Sequence, residues 1–101
     1  MDELNNIQAL SPLDGRYLSK VIDLRNYFSE YALIKYRIQV EVEWLLALGK
    51  QSDIDFVAEF DDSTANNLRK IYQEFTPQDG VKVKNIEKTT NHDVKAVEYF
   101  I

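Results

Sequence analysis

From about Ser29 to Gly49 apolar residues recur every three or four positions, in two stripes on nearly opposite faces of a predicted helix. One stripe holds Tyr31, Ile34, Ile38, Val42 and Leu45. The other holds Leu33, Tyr36, Val40, Trp44 and Ala47. Lys35 and Glu43 fall between them on one side, Arg37 and Glu41 on the other. A surface helix buries a single stripe, so this one is built to be sandwiched. Burying one large apolar side chain contributes ~1.5–3 kcal/mol. The Leu33–Trp44 face is therefore predicted to find its partner outside this short segment, which favours self-association of the segment alone; the alternative is cover from its own neighbours. Ser29 can cap the helix, although no acid follows three residues later to close a capping box, and Gly49 marks its end.

Weaker patterns place the other elements. Residues 1–9 read as an extended or loosely ordered arm. Ser11-Pro12-Leu13-Asp14-Gly15 is turn chemistry, since proline fixes φ and glycine permits positive φ. Leu18–Asn26 reads as a short helix, with Val21, Ile22 and Leu24 apolar. Residues 51–62 form an acidic loop with Ile54, Phe56, Val57 and Phe60 as anchors. A helix over Thr64–Phe75 follows, capped by Asp62 or Ser63. Thr76 and Pro77 then supply an N-cap and a proline at the first helical position. That helix is predicted to run to about Glu87, with Gly80 weakening its first turn. A last helix opens near Asp93, N-capped by Asn91, with Val94, Val97, Tyr99 and Phe100 apolar. The expectation is an all-α fold of about five helices. The final pattern reaches Ile101 without glycine, polar cap or basic turn, which predicts a segment cut from a longer chain.

Composition narrows the function. The 101 residues, 45 % hydrophobic and 29 % charged, suit one small globular domain. No apolar run approaches the ~20 residues of a membrane span, and no signal-peptide pattern opens the chain. With no cysteine and a single histidine, disulfides and a zinc site are not expected. Asp53, Asp55, Glu59, Asp61 and Asp62 lack the spacing of a calcium loop, so neither metal nor cofactor is expected. A net charge of −5 argues against nucleic acid. It also means that an anionic ligand would be held by local donors rather than by a long-range field.

Two places carry candidate chemistry. The first is Thr89–Phe100 (TTNHDVKAVEYF), where His92 sits between Asn91 and Asp93. Beside a helix N-terminus, an amide and an imidazole make a receptor for phosphate or carboxylate. The same tripeptide also fits a capped helix with a solvated His–Asp pair. The second is Arg16-Tyr17, on the exit of the Pro/Gly turn. A guanidinium there can bind an anion bidentately, or the pair can be a surface arginine and a packing tyrosine. Lys95, one turn inside the last helix, is a further cation or simply a solvated lysine.

These residues also carry a resemblance. TTNHDVKAVEYF, together with Ser11–Tyr17 (SPLDGRY) and Phe28–Trp44 (FSEYALIKYRIQVEVEW), resembles the N-terminal region of the bacterial adenylosuccinate lyases, within the fumarase/aspartase superfamily. The three matches come in that family's order and cover essentially the whole chain. The resemblance implies a cytoplasmic homotetramer of long helical bundles, each active site being shared between subunits. It implies β-elimination of fumarate from adenylosuccinate, giving AMP, and from SAICAR, giving AICAR. It further implies that Arg16 and Tyr17 contact the nucleotide phosphate and that Asn91, His92 and Asp93 line the substrate pocket. His92 is then a donor to phosphate or an aid to proton transfer, held in its tautomer by a neighbour, with Asp93 as one candidate. The family's general acid and general base fall beyond Ile101, so no catalytic residue is expected in this segment and the segment alone is expected to be inert. Alternatives are another lyase of the superfamily, such as argininosuccinate lyase or fumarase, and a non-enzymatic helical interaction module.

Overall fold

The computed structural model describes residues 3–51, 53 and 57–101, with side chains from Asn5 onward. The described elements are all helical: α1 (Glu3–Ile7), α2 (Leu18–Val21), a 3-10 turn (Ile22–Leu24), α3 (Arg25–Phe28), α4 (Glu30–Lys50), α5 (Asp62–Gln73), α6 (Pro77–Thr90) and α7 (Asp93–Phe100). Taking the broken run 18–28 as one element and setting aside the single-turn α1, these are the five expected helices. The chain divides into two compact units, Met1–Ala32 and Leu33–Ile101, the division falling inside the first turns of α4.

In the first unit, Glu3–Ile7 is helical, where an extended arm was expected. Five residues are too few to show a helical period in sequence. Gly15 explains the tight join to that helix. A Cβ there would stand 2.8 Å from the Asn6 carbonyl oxygen and 3.1 Å from Ala9 Cβ. Gly15 does not take positive φ, so it is needed for close approach and not for handedness. The expected single helix over 18–26 is instead split into α2, the 3-10 turn and α3, and it ends at Phe28. Val21 breaks it, with φ −118° and ψ 4°, outside the helical region. Ser29 then starts α4 as expected. Its Oγ accepts the Ala32 N–H at 3.1 Å and donates to the Arg25 carbonyl.

In the second unit, α4 buries one stripe, Ile34, Ile38 and Val42, and continues it with Leu46. Leu45, expected in that stripe, is only half-buried. Steps of four residues keep to the core face better than the final step of three. Phe75, Val83, Ala96 and Val97 complete the buried set, and the Phe75 and Phe100 rings meet edge-on at 5.5 Å. The opposite stripe stays in solvent: Val40 is 66 % and Trp44 62 % exposed, with Leu33 and Tyr36 also exposed.

Glu43, between the stripes, ties α5 to α4. It accepts from Arg69 Nε at 3.0 Å and from the Tyr72 hydroxyl at 2.7 Å. The Arg69 hydrogen bond, then that of Tyr72, holds the Glu43 carboxyl below its ordinary range. Asp61 caps α5 by accepting the Thr64 N–H at 2.7 Å, one residue before the expected cap. Thr76 and Asp79 form a full capping box at the start of α6. The loop anchors Ile54 and Phe56 and the carboxylate Asp55 lie outside the described residues.

Gly49 was expected to end α4. The helix instead runs through it to Lys50, and Gly49 is buried where the returning loop crosses. A Cβ there would lie 2.9 Å from the Ala58 carbonyl oxygen and 3.2 Å from the Phe60 ring. Gly49→Ala is therefore expected to destabilise the protein by about 1–3 kcal/mol in denaturant unfolding, despite alanine's better helix propensity. Equal or greater stability would show that the loop does not close on this helix.

Candidate functional site

The chain reverses between α6 and α7 in two residues, and those two are Asn91 and His92. α6 runs three residues past its expected end, to Thr90. Asn91 closes it in the left-handed conformation (φ 54°, ψ 26°), its N–H bonded to the Glu87 carbonyl at 2.7 Å. It is the one non-glycine residue with positive φ among those described. Asparagine is the natural choice after glycine there, because a short amide side chain tolerates this region. Asn91 is thus the C-cap of α6 and not, as expected, the N-cap of α7.

His92 takes the N-cap role. Its backbone is extended (φ −146°, ψ 115°), and its Nδ1 accepts the Lys95 N–H at 3.2 Å. Thr90 braces it from behind: the Thr90 hydroxyl accepts the His92 N–H at 3.3 Å and donates to the His92 carbonyl at 3.1 Å. An imidazole whose Nδ1 accepts a hydrogen bond carries its proton on Nε2 when neutral. The corner therefore presents an N–H donor, exposed to solvent, with the acceptor nitrogen already engaged.

Asp93 does not hold that tautomer; the backbone does. The Asp93 carboxylate pairs with Arg37, Nη1 to Oδ2 at 2.8 Å, and its Oδ1 accepts the Val94 N–H at 2.8 Å. The Arg37 bond is the main reason its carboxyl lies below the ordinary value, with the Val94 N–H next. Arg37 stands 56 positions away in sequence, so no local spacing announces the pair. Its only sequence signal is a place between the stripes of α4.

Next to the corner an open groove of about 560 Å³ is lined by Ile86, Thr89, Thr90, Lys95 and Tyr99. Lys95 is not a free cation in it. The ammonium pairs with Glu98 at 2.9 Å and lies 5.6 Å from the Tyr99 ring centroid. Among the described residues no three acids or histidines gather as a metal site.

Arg16 and Tyr17 belong to the first unit, the Asn91–Asp93 corner to the second. The turn before Arg16 is locked locally. Ser11 N–H donates to the Asp14 carboxylate at 2.8 Å, Leu13 N–H to the Ser11 hydroxyl at 3.1 Å, and Tyr17 N–H to the Pro12 carbonyl at 2.9 Å. The Ser11 N–H lowers the Asp14 carboxyl. The exposed Arg16 guanidinium stacks on the neighbouring Tyr17 ring, 4.5 Å from its centroid. That is a pre-ordered cation with its hydrogen-bonding edges open to solvent.

No family model matches the chain. Among curated proteins it is similar to the adenylosuccinate lyase of Dictyostelium discoideum, 55 % identical over 98 % of this chain. It is also similar to the adenylosuccinate lyases of Escherichia coli and Haemophilus influenzae, each 50 % identical over 98 % of this chain. The chain spans about a fifth of the length of these relatives, 22 % in each case.

Two stability measurements test the corner. His92→Ala should cost ~1 kcal/mol through loss of the cap, whereas His92→Ser should cost a few tenths at most, because a hydroxyl caps equally well. Equal losses would show that Nδ1 is not capping. Asp93 has a depressed folded pKa, so its contribution is present above the unfolded value of about 3.9 and is lost as pH falls through the folded one. Asp93→Asn should accordingly be less stable than the parent at pH 7, with the gap closing below about pH 4. A gap independent of pH would contradict the Arg37 pairing.

Proposed function

We propose that this chain, 50–55 % identical over 98 % of its length to adenylosuccinate lyases, belongs to that family and supplies part of the substrate-binding surface of such an enzyme. The reading places it as the N-terminal segment of a protein that eliminates fumarate from adenylosuccinate, releasing AMP, and from SAICAR, releasing AICAR. In that reaction a base removes the proton beside a carboxylate, the C–N bond breaks, and an acid protonates the departing nitrogen. Charge builds on the carboxylate and is stabilised by fixed donors.

The observation that carries the reading is the hydrogen bond from the Lys95 N–H to His92 Nδ1. A neutral imidazole with Nδ1 bound to Lys95 N–H offers Nε2–H outward, suited to donate to a phosphate or carboxylate oxygen. It is not set up to act as a base, since the nitrogen that would accept a proton is engaged. Between the two expected roles, the donor is the one supported. Asn91 adds an amide beside it. Asp93, bound to Arg37, serves as a structural member of the pocket rather than a direct ligand. Arg16 and Tyr17 are assigned the phosphate, as a cation and a hydroxyl donor on a rigid turn. None of these is a proton-transfer catalyst, so the segment alone is expected not to turn over substrate. The enzyme reading further entails a homotetramer in the cytoplasm; no described helix is long and apolar enough to cross a membrane.

His92→Ser in the full-length protein separates binding from capping. The cap survives and the imidazole donor is gone, so kcat/KM for adenylosuccinate should fall more than tenfold, above ~1.4 kcal/mol, with unfolding unchanged. Parent-like kcat/KM would remove His92 from the site and favour a merely structural corner, as an interaction module would have.

A further inference from the structure

Helix α4 reaches the His92 corner through one side chain. Arg37 projects from the middle of α4 and binds Asp93, the first residue of α7, while its neighbours Leu33, Tyr36, Val40 and Glu41 line a groove of about 230 Å³ with Val94 and Val97 of α7. Asp93 directly follows the capping His92, and the first turn of α7 contains Lys95, whose N–H holds the imidazole. Fixing Asp93 therefore fixes the turn that sets the direction of His92 Nε2–H. The pair also has an electrostatic consequence. The Asp93 carboxylate lies next to the donors assigned to an anion, and an unpaired carboxylate there would repel one. Arg37 offsets that charge and directs the carboxylate onto α4. Both side chains are only part-exposed, 28 % for Arg37 and 47 % for Asp93, so the contact is less screened than a fully solvated pair.

We propose that Arg37 is a positioning residue for anion binding, acting solely through Asp93 to hold the His92 donor in place and to cancel a carboxylate beside the ligand. It rests on the substrate-binding reading of the corner. Arg37 itself is assigned no contact with substrate.

The test is a double-mutant cycle in the full-length enzyme, read as KM and kcat separately. R37M should raise KM for adenylosuccinate about tenfold and change kcat less, because a ground-state interaction is disturbed. In the D93N background the same substitution should have no further effect, since its target is gone. R37K, which keeps the charge but not the guanidinium fork, should give a smaller rise with the same suppression by D93N. Independent, multiplicative effects of R37M and D93N would overturn the proposal. So would R37M kinetics within twofold of the parent while H92S loses more than tenfold, an outcome that leaves the site reading intact. Parent-like kinetics for H92S would instead sink the site reading, and this proposal with it. Where R37M does not fold, the R37K cycle decides by the same criterion.

Discussion

The reversal at Asn91-His92 is the constraint on which the candidate site depends. Two helices can be joined by two residues only if the first helix ends sharply and the second begins without a wasted turn. A left-handed asparagine does the first and a histidine side chain on a backbone N–H does the second. With Thr90 on both polar groups of the His92 backbone, the corner satisfies its own hydrogen bonds locally. An imidazole fixed this way has one nitrogen committed to structure and the other left for chemistry. The functional reading is a consequence of that division.

Around the corner, packing keeps the geometry from relaxing. Ala96 and Val97 are buried on the inner face of α7, and Phe100 meets Phe75 at its far end. Arg37 adds a single charged tether from α4 at the near end. The helix is thus held by apolar burial along its length and by an ion pair at its start. Glu43 performs the matching task further along α4, where it gathers Arg69 and Tyr72 of α5. One helix therefore organises the second unit by two means, with a buried stripe and with charged residues flanking it. Its other stripe, from Leu33 to Trp44, remains largely exposed.

Much of this was legible in the sequence, and the failures have physical reasons. The long helix, its two faces and the Thr76-Pro77 start were readable because each rests on local periodicity or on a cap formed within four residues. Asn91 is expected as the N-cap of α7 with His92 inside its first turn, whereas the structure makes Asn91 the C-cap of α6 and His92 the N-cap. Asparagine suits both an N-cap and a left-handed C-cap, and sequence alone cannot say which helix claims it. Glycine usually stops a helix, whereas Gly49 admits a neighbouring carbonyl. The Arg37–Asp93 pair was invisible, since it joins positions far apart that no spacing rule connects. The family resemblance pointed to the residues of the corner, but it did not reveal which atom of His92 is available.

The most direct measurement is a structure of the full-length protein with AMP or adenylosuccinate bound. The account requires His92 Nε2 within hydrogen-bond distance, about 3 Å, of a ligand oxygen while Nδ1 stays on the Lys95 N–H. A ring turned so that Nδ1 faces the ligand, or a corner remote from it, would contradict the account.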